Sequence, residues 1–312
     1  MKYIARKFLT LLLTLFIVSI LAFFAFQIIP GDPAVVQLGV DATPESLEAF
    51  REDMGLNRPA VVRYFDWMGR FLTGDMGQSF IQDMSVRELL GDRLIISGTI
   101  MGMSFLLTVL IALPVGLLTG KRQWGLGHGL TTVVSQVVMA VPPLFLGLIL
   151  TFVFGIVFRL FTPGDFVSFR ESVWGYFAYL FFPALAIALP KSAMAVRLIR
   201  ASIGVEMGKE YVRTAMSRGN GENCLLYRHV LPNIAVPVVT FLILTLTMMV
   251  TDSIVVEQVF SIPGAGRLLV SAIGNRDYPV VQALVMVVAA VVMGLYFLSD
   301  VICRMIDPRI TL

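Results

Sequence analysis

The chain has 312 residues, 57% of them hydrophobic and only 14% charged, with a formal net charge of +3. Soluble domains carry about 25% charged residues, so this balance excludes an ordinary soluble enzyme or nucleic-acid binder. The apolar runs are continuous, which excludes a membrane β-barrel built from alternating segments of about ten residues. Cys224 and Cys303 are isolated, as are His128 and His229, so neither a disulfide framework nor a Cys/His metal cluster is legible.

A spanning helix needs about 20 consecutive apolar residues. Six runs meet that length, at roughly 8–29, 94–120, 130–158, 173–196, 234–251 and 280–305. The first is longer than a signal-peptide core and no small-residue cleavage site follows it, so it reads as a retained helix. The third is long enough to tilt. Pro183, Pro190 and Lys191 interrupt the fourth, and proline is tolerated in a span whose neighbours satisfy the freed backbone groups. The expected class is an all-α polytopic membrane protein with six transmembrane helices.

Residues 30–93 follow the first run. They hold eleven acidic and six basic residues, too mixed to span. "PGDP" opens the segment as a turn. "TPESLEAFREDMGL" reads as a helix with Thr43 as N-cap, Pro44 in the first turn and a stop at Gly55. "RPAVVRYFDWMGRFLTGDMGQSF" suggests a second short helix resting on the membrane or on a partner. The chain thus divides into 1–93, a first span plus this segment, and 94–312, a five-helix core.

Lys and Arg in short loops set orientation. Lys2, Arg6 and Lys7 precede the first run, and Lys121 and Arg122 separate the second from the third. Seven basic residues from Lys191 to Arg228 separate the fourth from the fifth, and Arg304 and Arg309 follow the sixth. Six spans put all of these, and both termini, on one side, expected to be cytoplasmic.

The polar island between the fourth and fifth runs is the informative stretch. "GVEMGKEYVRTAMSRG" is compatible with a helix over 205–218 that ends at Gly219 and Gly221. Met207, Tyr211, Thr214, Ala215 and Arg218 recur at three- and four-residue spacings and share one face. That face is small and moderately apolar, which suits docking into a partner's groove as well as an ordinary positive-inside loop.

"EYVRTAMSRGNGENCLLYRHVLPNIAVP" resembles the cytoplasmic EAA loop of permease subunits in ATP-binding-cassette importers, with Glu210, Ala215, Gly219 and Leu231–Pro232 at its marker positions. The likeness is greatest to the dipeptide, oligopeptide and nickel permeases. "IPGDPAVVQLG", "MGLNRPAVVRYFDWMGRFLTGDMGQSF" and "VVEQVFSIPGAGRLLVSAIGNRDYPVVQALV" extend it over nearly the whole chain. Ser217-Arg218 replaces the frequent Ala-Lys, Gly221 is an added glycine, and Asp252 stands near a position often held by a small residue.

The resemblance implies a type I ABC importer permease fold with the coupling loop at about 197–232. Implied partners are a second homologous permease subunit, two ABC ATPase subunits, an extracytoplasmic solute-binding protein and membrane lipid, with no nucleic acid. No cofactor is expected in this chain; ATP and Mg²⁺ would be held by the ATPase subunits. In agreement, the chain has no G-x-x-x-x-G-K-[ST] phosphate loop; Gly120-Lys121 and Gly208-Lys209 are out of frame. No catalytic or metal-binding residue is expected. Glu210, Tyr211, Arg213, Thr214, Ala215, Arg218 and Gly219 are the expected ATPase-coupling residues, with Ala215 and Gly219 allowing close approach. Asp252, Ser253 and Glu257 are the candidates for the translocation path, with Asp252 near an outer helix end and Lys191 snorkelling at an inner one. Peptide is the first expectation for cargo, with nickel, a metal chelate or glutathione as alternatives. The alternative class is an ion-coupled secondary transporter, which would need paired acids in mid-span.

Overall fold

The computed structural model describes residues 2–28, 33–39, 42–53, 55, 57–121 and 126–306. The "PGDP" turn, apart from Pro33, and the tail carrying Arg309 lie outside them, as does Arg122. Among the described residues the secondary structure is helical, with one isolated antiparallel bridge between Gln78 and Ser85. The helices are α1 (Lys2–Ile28), α2 (Pro33–Leu38), α3 (Pro44–Asp53), α4 (Ala60–Leu72), α5 (Val86–Lys121), α6 (Leu126–Ala140) and α7 (Pro143–Leu150). They continue as α8 (Val173–Met207), α9 (Glu210–Ser217), α10 (Glu222–Cys224), α11 (Leu231–Val259), α12 (Ala265–Gly274) and α13 (Tyr278–Ile306). α7 runs on as a π-helical turn over Thr151–Val157, and a second π turn, Leu225–Val230, joins α10 to α11.

α1, α5, α8, α11 and α13 are each long and apolar enough to cross a membrane. The third expected span, 130–158, is broken: Gly129–Ala140 and Pro143–Val157 meet at 98°. The cause is the Pro142-Pro143 pair. Two consecutive prolines remove two backbone donors and force extended backbone before them, and Pro142 sits at φ −60°, ψ 149°. Pro183 and Pro190, by contrast, are absorbed inside α8, as expected.

The chain forms two compact units rather than two successive stretches. One comprises Met1–Ser97 and Pro263–Gly294, the other Gly98–Ile262 and Leu295–Leu312. In the first, α3 begins with the expected cap, Ser46 N donating to Thr43 Oγ1 at 3.3 Å. α4 lies against α1: Tyr64 is buried, hydrogen-bonds Ser19 at 2.8 Å, and packs edge-on to Phe23. Leu89 and Leu90 of α5 form a core with Leu268 and Ala272 of α12 and Val280 and Leu284 of α13. The turn before α5 is pinned by a buried carboxylate. Ser79 Oγ donates to Asp277 Oδ2 at 2.5 Å, and Phe80 N donates to Asp277 Oδ1 at 3.1 Å. "FSIPGAGRLL" resolves into the start of α12, whose Ala265 N donates to Ser97 Oγ at 2.8 Å.

The second unit is organised on α8, which packs against α6, α7 and α11. Glycines let α5 come close: a Cβ on Gly116 would lie 2.9 Å from Ile199, and one on Gly120 would lie 2.6 Å from Ile203. Aromatic rings of residues 154–182, including Phe154, Phe161, Tyr179 and Phe182, pack together beside Phe260. Tyr179 Oη anchors that cluster by donating to the Phe260 carbonyl at 2.7 Å.

Candidate functional site

The polar island forms a short helix held between the ends of two long ones. The continuous helix expected over 205–218 is broken instead. α8 ends at Met207, Gly208 caps it, and Lys209 is extended at φ −76°, ψ 149° before α9 begins. Gly219 closes α9 at φ +83°, a region glycine enters without steric cost. No atom of the chain lies within 4 Å of a Cβ at that position, so within the chain the glycine serves the turn.

α9 has an inner and an outer face. Val212 and Ala215 are buried in a core with Ile203 of α8, Leu225, Leu226 and Val230 of the second π turn, and Ile234 of α11. Ala215, expected on the docking face, therefore packs against its own chain. The outer face is Glu210, Arg213, Thr214, Met216 and Ser217, all exposed, with exposed Arg218 just beyond. Glu210 and Arg213 pair at 3.0 Å with side chains 85% and 68% accessible. Such an exposed pair is worth at most about 1 kcal/mol, so both remain available to a partner.

The inner attachment depends on a residue the sequence reading missed. Glu206, in the last turn of α8, has a side chain only 8% accessible. Its carboxylate accepts from Lys209 Nζ at 2.6 Å and from Tyr211 Oη at 2.6 Å. Asn233 of α11 donates to Tyr211 Oη at 2.8 Å and to the His229 carbonyl at 3.0 Å. The hydrogen bond to Glu206 holds Lys209 above the ordinary lysine value. Burial, and then the same carboxylate, push the Tyr211 phenol up. The knot ties the start of α9 to α8 and α11 together through Tyr211, itself still 37% exposed. A groove of about 280 Å³ opens beside it, with Glu206 and Asn233 above Val205, Ile234 and Pro237.

Among the expected path residues, Asp252 pairs with Lys191 at 2.8 Å, their side chains 18% and 11% accessible. Both stand inside helices, because α11 runs on to Val259. Lys191 is thus bonded across to α11 and does not snorkel along α8. Ser253 and Glu257 are buried, Ser253 Oγ donating to the Val250 carbonyl of its own helix. The structure brings neither to the surface that Asp252 shares. Lys191 was legible as an intramembrane charge; its partner was not, because 61 residues separate them.

The description "binding-protein-dependent transport system inner membrane component" matches residues 112–312, and its N-terminal companion matches residues 1–100. The chain belongs to this family. It is a multi-pass component of the inner cell membrane. Curated relatives match along their whole length. A probable peptide ABC transporter permease protein, y4tP, of Sinorhizobium fredii is 30% identical over 99% of this chain and 98% of its own. The oligopeptide transport system permease protein AppB of Bacillus subtilis is 32% identical over 99% and 98%. The dipeptide transport system permease protein DppB of Lactococcus lactis subsp. cremoris is 29% identical over 100% and 99%.

Proposed function

We propose that this family member is the permease subunit of an ATP-driven peptide importer, and that α9 receives the stroke of separate ATPase subunits. The observation that carries the reading is the two-sidedness of α9. An eight-residue helix is clamped inward to α8 and α11, yet offers Glu210, Arg213, Thr214, Met216 and Ser217 outward. A partner that moves this helix would move both attached spans, because the Glu206 knot ties the ends of α8 and α11 to it. On this reading α9 and both termini are cytoplasmic, in keeping with the excess of Lys and Arg in the loops on that side. A second permease subunit completes the pathway, and an extracytoplasmic binding protein delivers the solute. The printed names of the relatives point to peptide as the cargo.

The test is reconstitution of the permease pair with its ATPase subunits and binding protein in vesicles. Thr214→Trp and Ser217→Trp enlarge the outer face without touching the knot. Both are expected to weaken ATPase association and abolish ATP-driven uptake. Wild-type uptake in both variants, or uptake by the permease without any ATPase, overturns the reading.

A further inference from the structure

We propose that Asp252 is a transient binding site for the α-ammonium group of a peptide in transit, and that Lys191 occupies this site when the path is empty. The inference rests on the peptide reading above and names the chemistry of one step in the path. It starts from cost. An ionised side chain within a span is expensive and is kept out of contact with lipid. Lys191 and Asp252 both lie inside helices apolar enough to cross, about 10 Å of helical rise from the end of α11 in the case of Asp252. Neither is fully enclosed, since 11% and 18% of their side chains remain accessible. The cost of placing charge against lipid argues that the open side of the pair, beyond the buried Asp252 Oδ2 that meets Lys191, faces a polar surface.

The sequence of α11 identifies that surface. Met248, Thr251, Val255 and Gln258 are exposed and recur along one stripe, with Asp252 at its edge. Half of that stripe is polar, which suits a path wall better than a hydrocarbon contact. The opposite side of α11, with Met249, Ser253, Val256 and Glu257, is packed. Asp252 is thus the carboxylate of this helix that a solute would reach.

The chemistry of the pair fits a zwitterion. A lysine ammonium and a peptide α-ammonium present the same three N–H donors to a carboxylate. Exchange of one for the other leaves the site neutral at each stage, so no uncompensated charge forms within the membrane. The displaced Lys191 ammonium then donates to the peptide's carboxylate oxygens. When no peptide is present the site is closed by its own lysine and carries no net charge to attract a small ion.

The experiment compares uptake of free trialanine and N-acetyl-trialanine by the complete reconstituted transporter, each normalised to occupancy of the binding protein. A charge-assisted bond contributes enough for about a tenfold preference. Wild type is expected to favour the free peptide by about that factor, and Asp252→Asn is expected to lose the preference. Lys191→Met removes the competing ammonium and is expected to lower the KM for free peptide about tenfold while leaving the N-acetyl form unchanged. Misfolding would not mimic this gain. Lys191→Met/Asp252→Leu buries no charge, which commonly preserves fold, and is expected to transport both forms alike. A wild-type ratio in Asp252→Asn or in the double variant overturns the proposal while leaving the cargo reading intact. Failure of wild type to take up either peptide overturns the cargo reading and the proposal with it.

Discussion

Glu206→Ala cuts the joint between α9 and its two spans at a single atom group. In the wild type the buried carboxylate accepts one bond from Tyr211 Oη at 2.6 Å and one from Lys209 Nζ at 2.6 Å. The lysine is half in water and rehydrates on release, so the larger loss is the Tyr211 bond. A hydrogen bond to a charged group contributes about 1.5–3 kcal/mol, which corresponds to a rise of roughly tenfold to a hundredfold in the population of undocked α9. Two assays read that change. Amide exchange over residues 210–217 should quicken by the same factor in the detergent-solubilised complex. The number of peptides taken up per ATP hydrolysed should fall, while the packed side of α11 around Met249 and Val256, away from α9, keeps its protection. Glu206→Gln keeps an acceptor for Tyr211 and should show the smaller effect. Unchanged exchange and unchanged coupling in Glu206→Ala would refute the view that this carboxylate fixes α9.

Four further outcomes follow from the geometry. Gly120→Ala places a Cβ 2.6 Å from Ile203 Cδ1; overpacking of this kind costs about 1–3 kcal/mol, and Ile203→Val on the same chain, which removes that one methyl, should recover part of the lost thermal stability. Gly219→Val forces a branched residue into φ +83° and should cost about 1–2 kcal/mol, with Gly219→Asn milder in a denaturation midpoint. Asp277→Asn weakens the pin on residues 79 and 80 and should expose the turn before α5 to limited proteolysis, with a loss of about 1–3 kcal/mol. The ammonium of Lys209 is raised in the folded chain, so its contribution is complete below its unfolded value of about 10.4 and disappears only as pH climbs through the higher folded value. Coupling efficiency should therefore be flat between about pH 6 and 9 as far as this contact is concerned.

Much of this molecule is legible in its residues, for a physical reason. Hydrocarbon thickness sets the length of apolar runs, so five spans follow from counting, and Thr43 and Pro44 mark the start of α3 by cap chemistry. The 98° bend was also written in the chain, in Pro142-Pro143, but hydropathy averages over prolines and hides it. Inside the island, three- and four-residue spacing gave a helix and the exposed Thr214 and Arg218, but not the inward turn of Ala215. Gly208 stops α8 and resets the phase, so Ala215 turns inward and Val212 joins it. Glu206 escaped notice because a lone acid at a helix end looks solvated until Tyr211 and Asn233 close over it. The partnership of Lys191 with Asp252 depends on how α8 and α11 cross, which no local pattern encodes.

The pin at Asp277 joins residues 198 positions apart in the chain. A ribosome working at about 5–20 residues per second therefore delivers Ser79 tens of seconds, on the order of 10–40 s, before its acceptor exists. Until then the turn has only its local bonds, such as Ser79 N to the Met84 carbonyl and Gln82 N to Ser79 Oγ. Its closure requires the chain to have been made only as far as the residue before α13. A product truncated before Asp277 would lack this pin on the turn before α5, whereas one truncated within α13 would still hold it.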